Sequence, residues 1–390
     1  MNIVFLTLGY PADINTRGIY TDLVTSLFRL GHTVTVFTQC EIGNKNIEKA
    51  ESGATVIPVY TGKVTKISFV KKGINLVLLE KRFYKAVKEY CKGDIDLLLY
   101  STPPITFCSA VKKIKGQYKC KTYLLLKDIF PQNAVDLRLF SSKSLLYFYF
   151  RRKEKLLYKL SDLIGCMSPA NVRYIIKHNK YLELSKVHIS PNCIIVRDTI
   201  PTAACHNGLK LIYGGNLGKP QGIEFLIECC KIIEQTEDAE FTVIGSGTEY
   251  SKLENAIKKY GLKKTKLLPF MPKSAYLKLL AEQDMGMIFL DSAFTIPNFP
   301  SRMLDYLDNA LPVFACTDKN SDVKQEICDE GAGVWCESNS ISDFSILLNK
   351  ICMDKSILLP MKQKAREVLM QKYNAEKEAK NICEKVFALK

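Results

Sequence analysis

Ile296-Pro297-Asn298-Phe299-Pro300-Ser301-Arg302-Met303-Leu304-Asp305-Tyr306 runs from a Pro- and Asn-rich loop into a Pro-Ser helix start, with one carboxylate on the first turns, and the apolar run Val313-Phe314-Ala315 follows. A helix start presents unpaired backbone N–H groups and a partial positive charge, which suits a phosphate. Asn298, Pro300, Ser301 and Arg302 line this turn, and Asp305 is placed to take up vicinal hydroxyls of a sugar. The chemistry is that of a nucleotide-sugar site.

Other segments add to it. Tyr213-Gly214-Gly215-Asn216-Leu217-Gly218-Lys219-Pro220-Gln221-Gly222 is a glycine-rich loop between an apolar run and a helical pattern, and its glycines let the backbone approach a diphosphate. Gly215, Asn216 and Lys219 are its candidate ligands, with Lys219 and Arg302 as the sources of charge. Ile244-Gly245-Ser246-Gly247 reads equally as a second ligand-approaching turn, through Gly245, or as a tight structural turn. In Leu126-Lys127-Asp128-Ile129-Phe130-Pro131 a Lys-Asp pair ends an apolar run. The pair reads either as an exposed turn or as a site in which Asp128 is suited to orient or deprotonate an acceptor hydroxyl and Lys127 to bring positive charge near a diphosphate. Gly31 reads as a helix C-cap.

These residues need a scaffold that holds loops at strand ends. Apolar runs at Ile3 to Leu8, Thr33 to Thr38, Leu97 to Tyr100 and Tyr123 to Leu126 alternate with amphipathic stretches at Gly18 to Leu30 and Ile74 to Cys91. A second series has runs at Lys210 to Tyr213, Phe241 to Ile244, Lys266 to Pro269, Met285 to Leu290 and Val313 to Ala315, with helical stretches at Gly222 to Gln235 and Ser274 to Glu282. Such alternation predicts doubly wound, mostly parallel sheets covered by helices. Two complete series predict two Rossmann-like α/β domains, residues 1–200 and 205–372, with a linker near residues 198–208. Ligands of such sheets bind outside the carboxyl ends of the strands, so two facing domains would offer a cleft for two substrates.

Composition narrows the classes. The 14 cysteines are scattered apart from Cys229-Cys230 and form no CxxC, which fits buried free thiols in a reducing compartment better than a disulfide framework. His32, His178, His188 and His206 form no ligand-spaced cluster with cysteine, so no metal is expected. Met1 to Tyr10 lacks a basic leader and a cleavage site, and no apolar run reaches the roughly 18 residues of a transmembrane helix; both favour a cytoplasmic location. The net charge of +15 lies in the first half: 31 Lys and Arg against 15 Asp and Glu over residues 1–200, which is +16, and 24 against 25 over 201–390, which is −1. Ser144 to Leu160 combines aromatic residues with a basic cluster in helical register. It reads either as a core helix with a solvated basic edge or as a helix lying in a membrane interface, and the charge of the first half favours the second.

The Pro-Ser-Arg-x-x-Asp-Tyr run with its following Pro312-Val313 resembles the donor-binding segment of family 4 glycosyltransferases. That resemblance, extending over nearly the whole chain and strongest at residues 209–316, implies a metal-independent GT-B enzyme that needs no cofactor and retains anomeric configuration. Its donor is expected on the second domain and its acceptor on the first, with the stretch Ala375 to Leu389 (residues 375–390 of the chain) crossing back onto the first. The resemblance implies that the backbone at Gly18, which closes the loop Gly9 to Gly18 after the first apolar run, approaches donor and acceptor. It also places Phe270 and Met271 at the wall of the base, with family usage favouring uracil, and hence a UDP-sugar donor. This chain departs from the family in three places. Asn216 and Gln221 stand where basic residues are usual, and Asp305 replaces a glutamate. The position of the first acid of the family's acidic pair is Pro297, which leaves either main-chain groups of Thr295 to Phe299 or Asp291 to contact the sugar.

Phe294 to Ser301 and Asp128 to Asp136 most resemble the branch of fucosamine or N-acetylhexosamine transferases of surface polysaccharide assembly, such as capsule or O-antigen. A lipid-linked saccharide acceptor and peripheral attachment to the inner face of the cell membrane follow as expectations. A nucleotide-sugar 2-epimerase of the same fold and, more remotely, a basic nucleic-acid-binding protein are the competing readings. The second lacks any recognisable nucleic-acid motif, and no nucleic-acid partner is expected.

Overall fold

The computed structural model describes residues 1–11, 13–41, 47–51, 53–62, 69–199 and 208–389, with backbone alone at 69–77. The stretch expected to link the domains, with His206 inside it, lies outside the described residues from 200 to 207. Two compact units emerge: Met1–Ile195 joined by Asn374–Lys390, and Val196–Tyr373.

The first unit contains β1 (Asn2–Thr7), β2 (Thr33–Cys40), β3 (Glu48–Lys49), β4 (Thr55–Tyr60), β5 (Leu97–Ser101), β6 (Lys121–Leu126), β7 (Leu163–Cys166) and β8 (Val187–Ile189). Its sheet runs β3-β4-β2-β1-β5-β6-β7-β8, with β3 antiparallel to β4 and the other ladders parallel. Ile3 to Leu6 and Leu97 to Tyr100 are buried on both faces, as central strands covered by helices on each side require. The helix Ile19–Arg29 ends as Gly31 suggested, with Gly31 N–H donating to Phe28 O at 2.9 Å and His32 N–H to Leu27 O at 3.3 Å. The helix Ala375–Phe387 belongs to this unit. Ala375, Ala379, Ile382, Cys383 and Val386 join Leu23, Val24 and Leu27 in one core, which is how the last stretch returns to the first domain.

The second unit contains β9 (Leu209–Asn216), β10 (Ala239–Ser246), β11 (Thr265–Pro269), β12 (Met285–Phe289), β13 (Val313–Thr317) and β14 (Gly333–Glu337). All its ladders are parallel, in the order β11-β10-β9-β12-β13-β14. Numbered from β9 this is 3-2-1-4-5-6, the dinucleotide-fold order, whose strand sequence reverses direction between β9 and β12. Leu209, Leu211 and Tyr213 of β9 pack with Ile223, Leu226, Cys230 and Ile233 of the helix Ile223–Gln235. Each such aliphatic side chain contributes about 2 kcal/mol by leaving water. That packing anchors the glycine-rich loop between strand and helix at both ends.

Candidate active site

The reversal point of the second sheet is where the predicted residues gather. The β9–β10 ladder continues to Asn216 opposite Ser246, but β9 and β12 pair only at Leu211–Met285 and Ile212–Gly286. Beyond Ile212 the two strands part towards their carboxyl ends. Gly214, Gly215 and Asn216 border the opening.

Arg302 comes to this edge. Its guanidinium lies over the Tyr213 ring, 4.4 Å from the centroid, and its Nη1 is 3.0 Å from where a Cβ on Gly215 would be. That Nη1 is buried and has no hydrogen-bond partner among the described residues. A buried, unpaired guanidinium N–H beside exposed loop backbone is a ready anion ligand. The helix behind it is shorter than the sequence suggested: it spans Met303–Asp308, Arg302 occupies the N-cap position, and Ser301 is exposed and gives no side-chain cap. One and a half turns carry little macrodipole, so attraction for a phosphate rests on the guanidinium and loop amides more than on the helix end.

Asp305 does not stand free. Lys273 Nζ donates to both of its carboxylate oxygens at 2.5 Å. Lys273 opens the helix Lys273–Leu280, directly after the Phe270-Met271-Pro272 segment that leaves β11. Phe270 is 76% exposed there, an apolar ring held out into solvent, while Met271 is half-buried. Tyr276, one turn into the same helix, places its hydroxyl 2.3 Å from the position of a Cβ on Gly214, buried beside the Tyr306 hydroxyl.

The two glycine turns pack backbone on backbone. A Cβ on Gly245 would fall 1.8 Å from the carbonyl oxygen of Gly215, so Gly245 shapes the loop by allowing this contact. Asn216 Nδ2 and Gly218 N–H both donate to Gln221 Oε1, at 3.2 and 3.1 Å, and Gln221 is buried. The two residues standing where the family has cations thus brace the loop against each other. Lys219 is exposed beside them. Asn298 accepts Ser321 Oγ on its carbonyl at 2.9 Å and has a buried, unpartnered Nδ2, and Pro300 is half-buried.

In the first unit, Asp128 follows the end of β6. Thr102 Oγ1 accepts the backbone N–H groups of Lys127 at 2.9 Å and Asp128 at 3.2 Å and so sets the turn. Burial holds the Asp128 carboxyl above the usual carboxylate range, and its charge is felt by the Tyr20 phenol, which burial also raises. Ser101 Oγ donates to Thr7 Oγ1 at 3.0 Å beside them. Lys127, expected to bring charge to a diphosphate, instead turns its ammonium into this unit. There it donates to Ser190 O at 3.4 Å near Glu378 of the returning helix, and burial lowers its pKa to about 8. Gly18 caps the helix Ile19–Arg29 in extended conformation, and its N–H donates to Asp22 Oδ1 at 3.4 Å. No group of three or more His, Cys, Asp or Glu suited to a metal ion occurs among the described residues.

Lys273, Tyr276 and Tyr213 were not anticipated. Lys273 lies 32 positions from Asp305, and no spacing rule joins them. Tyr213 ends an apolar run and reads as core; its ring is buried and also floors Arg302.

Comparison with known proteins bears on the fold and on the family the chain is similar to. Residues 202–368 match the family described as Glycosyl transferases group 1. A Pseudomonas aeruginosa protein described as "Probable glycosyltransferase WbjE" is 24% identical over 294 residues, covering 72% of this chain and 71% of that one. Among solved structures, sucrose-phosphate synthase from Thermosynechococcus elongatus superposes with a TM-score of 0.81 at 15% identity over 100% of both chains. Anabaena Alr3699/HepE in complex with UDP and glucose superposes with a TM-score of 0.72 at 14% identity, again over 100% of both. The fold is GT-B, two Rossmann-like α/β units on one chain.

Proposed function

We propose that this chain is a retaining, metal-independent glycosyltransferase. It would move a sugar, an N-acetylated amino or deoxyamino hexose, from a UDP-sugar to a lipid-linked saccharide in surface polysaccharide assembly. The group 1 match over residues 202–368 supports glycosyl transfer, and the neighbour solved with UDP and glucose supports the donor class. One observation carries the assignment to the second unit: the Arg302 guanidinium, floored by Tyr213 beside Gly215, with a buried N–H awaiting an acceptor.

In this reading the diphosphate accepts from Arg302 and from the Gly215–Asn216 backbone, with Lys219 adding charge. Phe270 and Met271 wall the base, and Asp305, shared with Lys273, receives hydroxyls of the donor. As the sugar–phosphate bond breaks, negative charge grows on the diphosphate, and fixed donors stabilise it without reorganising. The acceptor occupies the first unit, where Asp128 orients its hydroxyl and takes the proton released when the new glycosidic bond forms. The raised pKa of Asp128 favours that task. Lys127 braces the strand end in this scheme and does not touch substrate.

The lipid-linked acceptor is motivated by the helix Leu145–Leu160. Leu145 is 89%, Phe148 59% and Tyr149 47% exposed, Arg152, Lys155 and Lys159 are exposed with them, and its one acid, Glu154, is buried against Arg151 and Tyr158. Cations beside exposed rings suit the surface of an anionic bilayer. No helix among the described residues is long and apolar enough to cross a membrane. Radiolabelled UDP-sugars incubated with and without a membrane extract test the whole scheme. Label should enter the lipid phase only when extract is present, whereas sugar conversion without acceptor would replace the transferase with an epimerase.

A further inference from the structure

Tyr306 is the residue whose position the chemistry above leaves unused. It sits in the helix Met303–Asp308, is fully buried, and lies one helical turn beyond Arg302. Its hydroxyl stands between the two strands that part at the reversal point. It accepts the Gly214 N–H of β9 at 3.2 Å and donates to the Met287 carbonyl of β12 at 3.1 Å. These are the backbone groups just past the last β9–β12 pair, Ile212–Gly286.

We propose that Tyr306 is a positioning residue: its phenol replaces the missing ladder between β9 and β12, holding the strand ends apart so that the exposed Gly215–Asn216 backbone beyond it stays open to a diphosphate.

Two glycines make room for this strut. A Cβ on Gly286 would lie 2.3 Å from the Tyr306 ring, and a Cβ on Gly214 would lie 2.3 Å from the Tyr276 hydroxyl, so side chains are excluded from both strands where the phenols enter. Simply separating the strands would leave a buried N–H and a buried C=O unpaired, which is costly. A hydroxyl that accepts from one strand and donates to the other satisfies both across a wider gap. Burial pushes the Tyr306 phenol up to about 12, so it keeps the proton it must donate. The strut also fixes the helix that carries Arg302, and therefore the seat of the guanidinium over Tyr213.

This inference rests on the UDP-donor reading for its functional consequence, but its structural part does not. Amide hydrogen exchange of the wild-type chain, without nucleotide, should show the Gly214 amide protected to the same order as the paired amides of β9, although its N–H is given to the Tyr306 hydroxyl and β12 does not pair with β9 there. Exchange at the rate of a solvent-exposed amide would overturn the proposal by itself, even should a variant fail to fold. In Tyr306→Phe, protection at Gly214 should fall by about tenfold or more while β10 amides hold. UDP affinity should drop about tenfold, uridine affinity by less than about twofold, because the strut sets the diphosphate end of the site and not the base wall at Phe270. Unchanged protection at Gly214, or equal weakening of UDP and uridine, would refute it. A wild-type protein that binds neither UDP nor uridine would instead contradict the donor assignment, and the exchange data would still decide the strut.

Discussion

Replacing Arg302 with alanine removes two things at once, a cation held at the mouth of the glycine loop and the ring contact that holds it. In the unliganded protein the cost is small. A half-buried cation over the buried Tyr213 ring contributes about 1–2 kcal/mol, and removing an Nη1 that has no partner offsets much of this by relieving an unsatisfied buried donor. Thermal stability without nucleotide should therefore change by less than about 1 kcal/mol. With nucleotide the loss is larger, because a charge-assisted hydrogen bond contributes about 1.5–3 kcal/mol and the planar fork can make two. Half-burial of Arg302 leaves some of this to water and salt. We expect a net loss of about 2–3 kcal/mol, a Kd for UDP about 30 to 150 times higher. Arg302→Lys, which keeps charge but loses the fork and the planar stack, should fall between. Isothermal titration with UDP, paired with thermal unfolding with and without UDP, reads both quantities. A UDP affinity within twofold of wild type in Arg302→Ala would remove the guanidinium from the diphosphate site, since no other described feature places an unpaired guanidinium N–H at Gly215.

Four further outcomes follow from the same geometry. Asp305→Asn should lower stability by less than about 1 kcal/mol, as its pair with Lys273 is partly exposed, yet weaken UDP-sugar binding several-fold by titration. Asp128→Asn should reduce turnover far more than donor affinity; an equal fall in both would remove it from the acceptor step. Gly245→Ala should destabilise by about 3 kcal/mol or more, because its methyl meets the Gly215 carbonyl and not a flexible side chain, and denaturant unfolding measures this. Lys127 is a base with a depressed folded-state pKa, so its charge opposes folding below about pH 8 and the penalty fades as pH rises towards the unfolded value of about 10.5. Wild-type stability should therefore climb by about 1–3 kcal/mol across that window relative to Lys127→Met, with pH-dependent unfolding as the measurement; parallel profiles would show the ammonium to be solvated.

Much of the scaffold was legible because buried parallel strands need unbroken apolar runs. Leu97 to Tyr100 and Met285 to Leu290 can hardly be anything else, and glycines clustered after such runs mark the strand ends where ligands bind. What periodicity carries poorly is direction. Lys127 stands at a strand end as expected, but whether its long side chain turns outward or in towards Glu378 depends on a helix 250 residues later. The partners of Asp305 were hidden for the same reason: Lys273 approaches it across the sheet from the end of another strand. The helix at Pro300-Ser301 began late because Arg302 already takes the N-cap place, leaving Ser301 exposed. Asn216 and Gln221 were recognisable as departures from the family pattern, while their mutual bracing through Gln221 Oε1 needed coordinates. Tyr306 was visible only as the aromatic residue after Asp305; that its hydroxyl stands in for strand pairing depends on where β9 and β12 part.

In the proposed function, the edge formed by Gly215, Arg302 and Tyr213 receives the diphosphate of a nucleotide sugar. A crystal structure of the protein with UDP tests it most directly. Diphosphate oxygens should lie within hydrogen-bond distance of Arg302 Nη1 and the Gly215–Asn216 backbone, with uracil against Phe270 and Met271. UDP bound elsewhere, with Arg302 Nη1 still unpartnered over Tyr213, would contradict it.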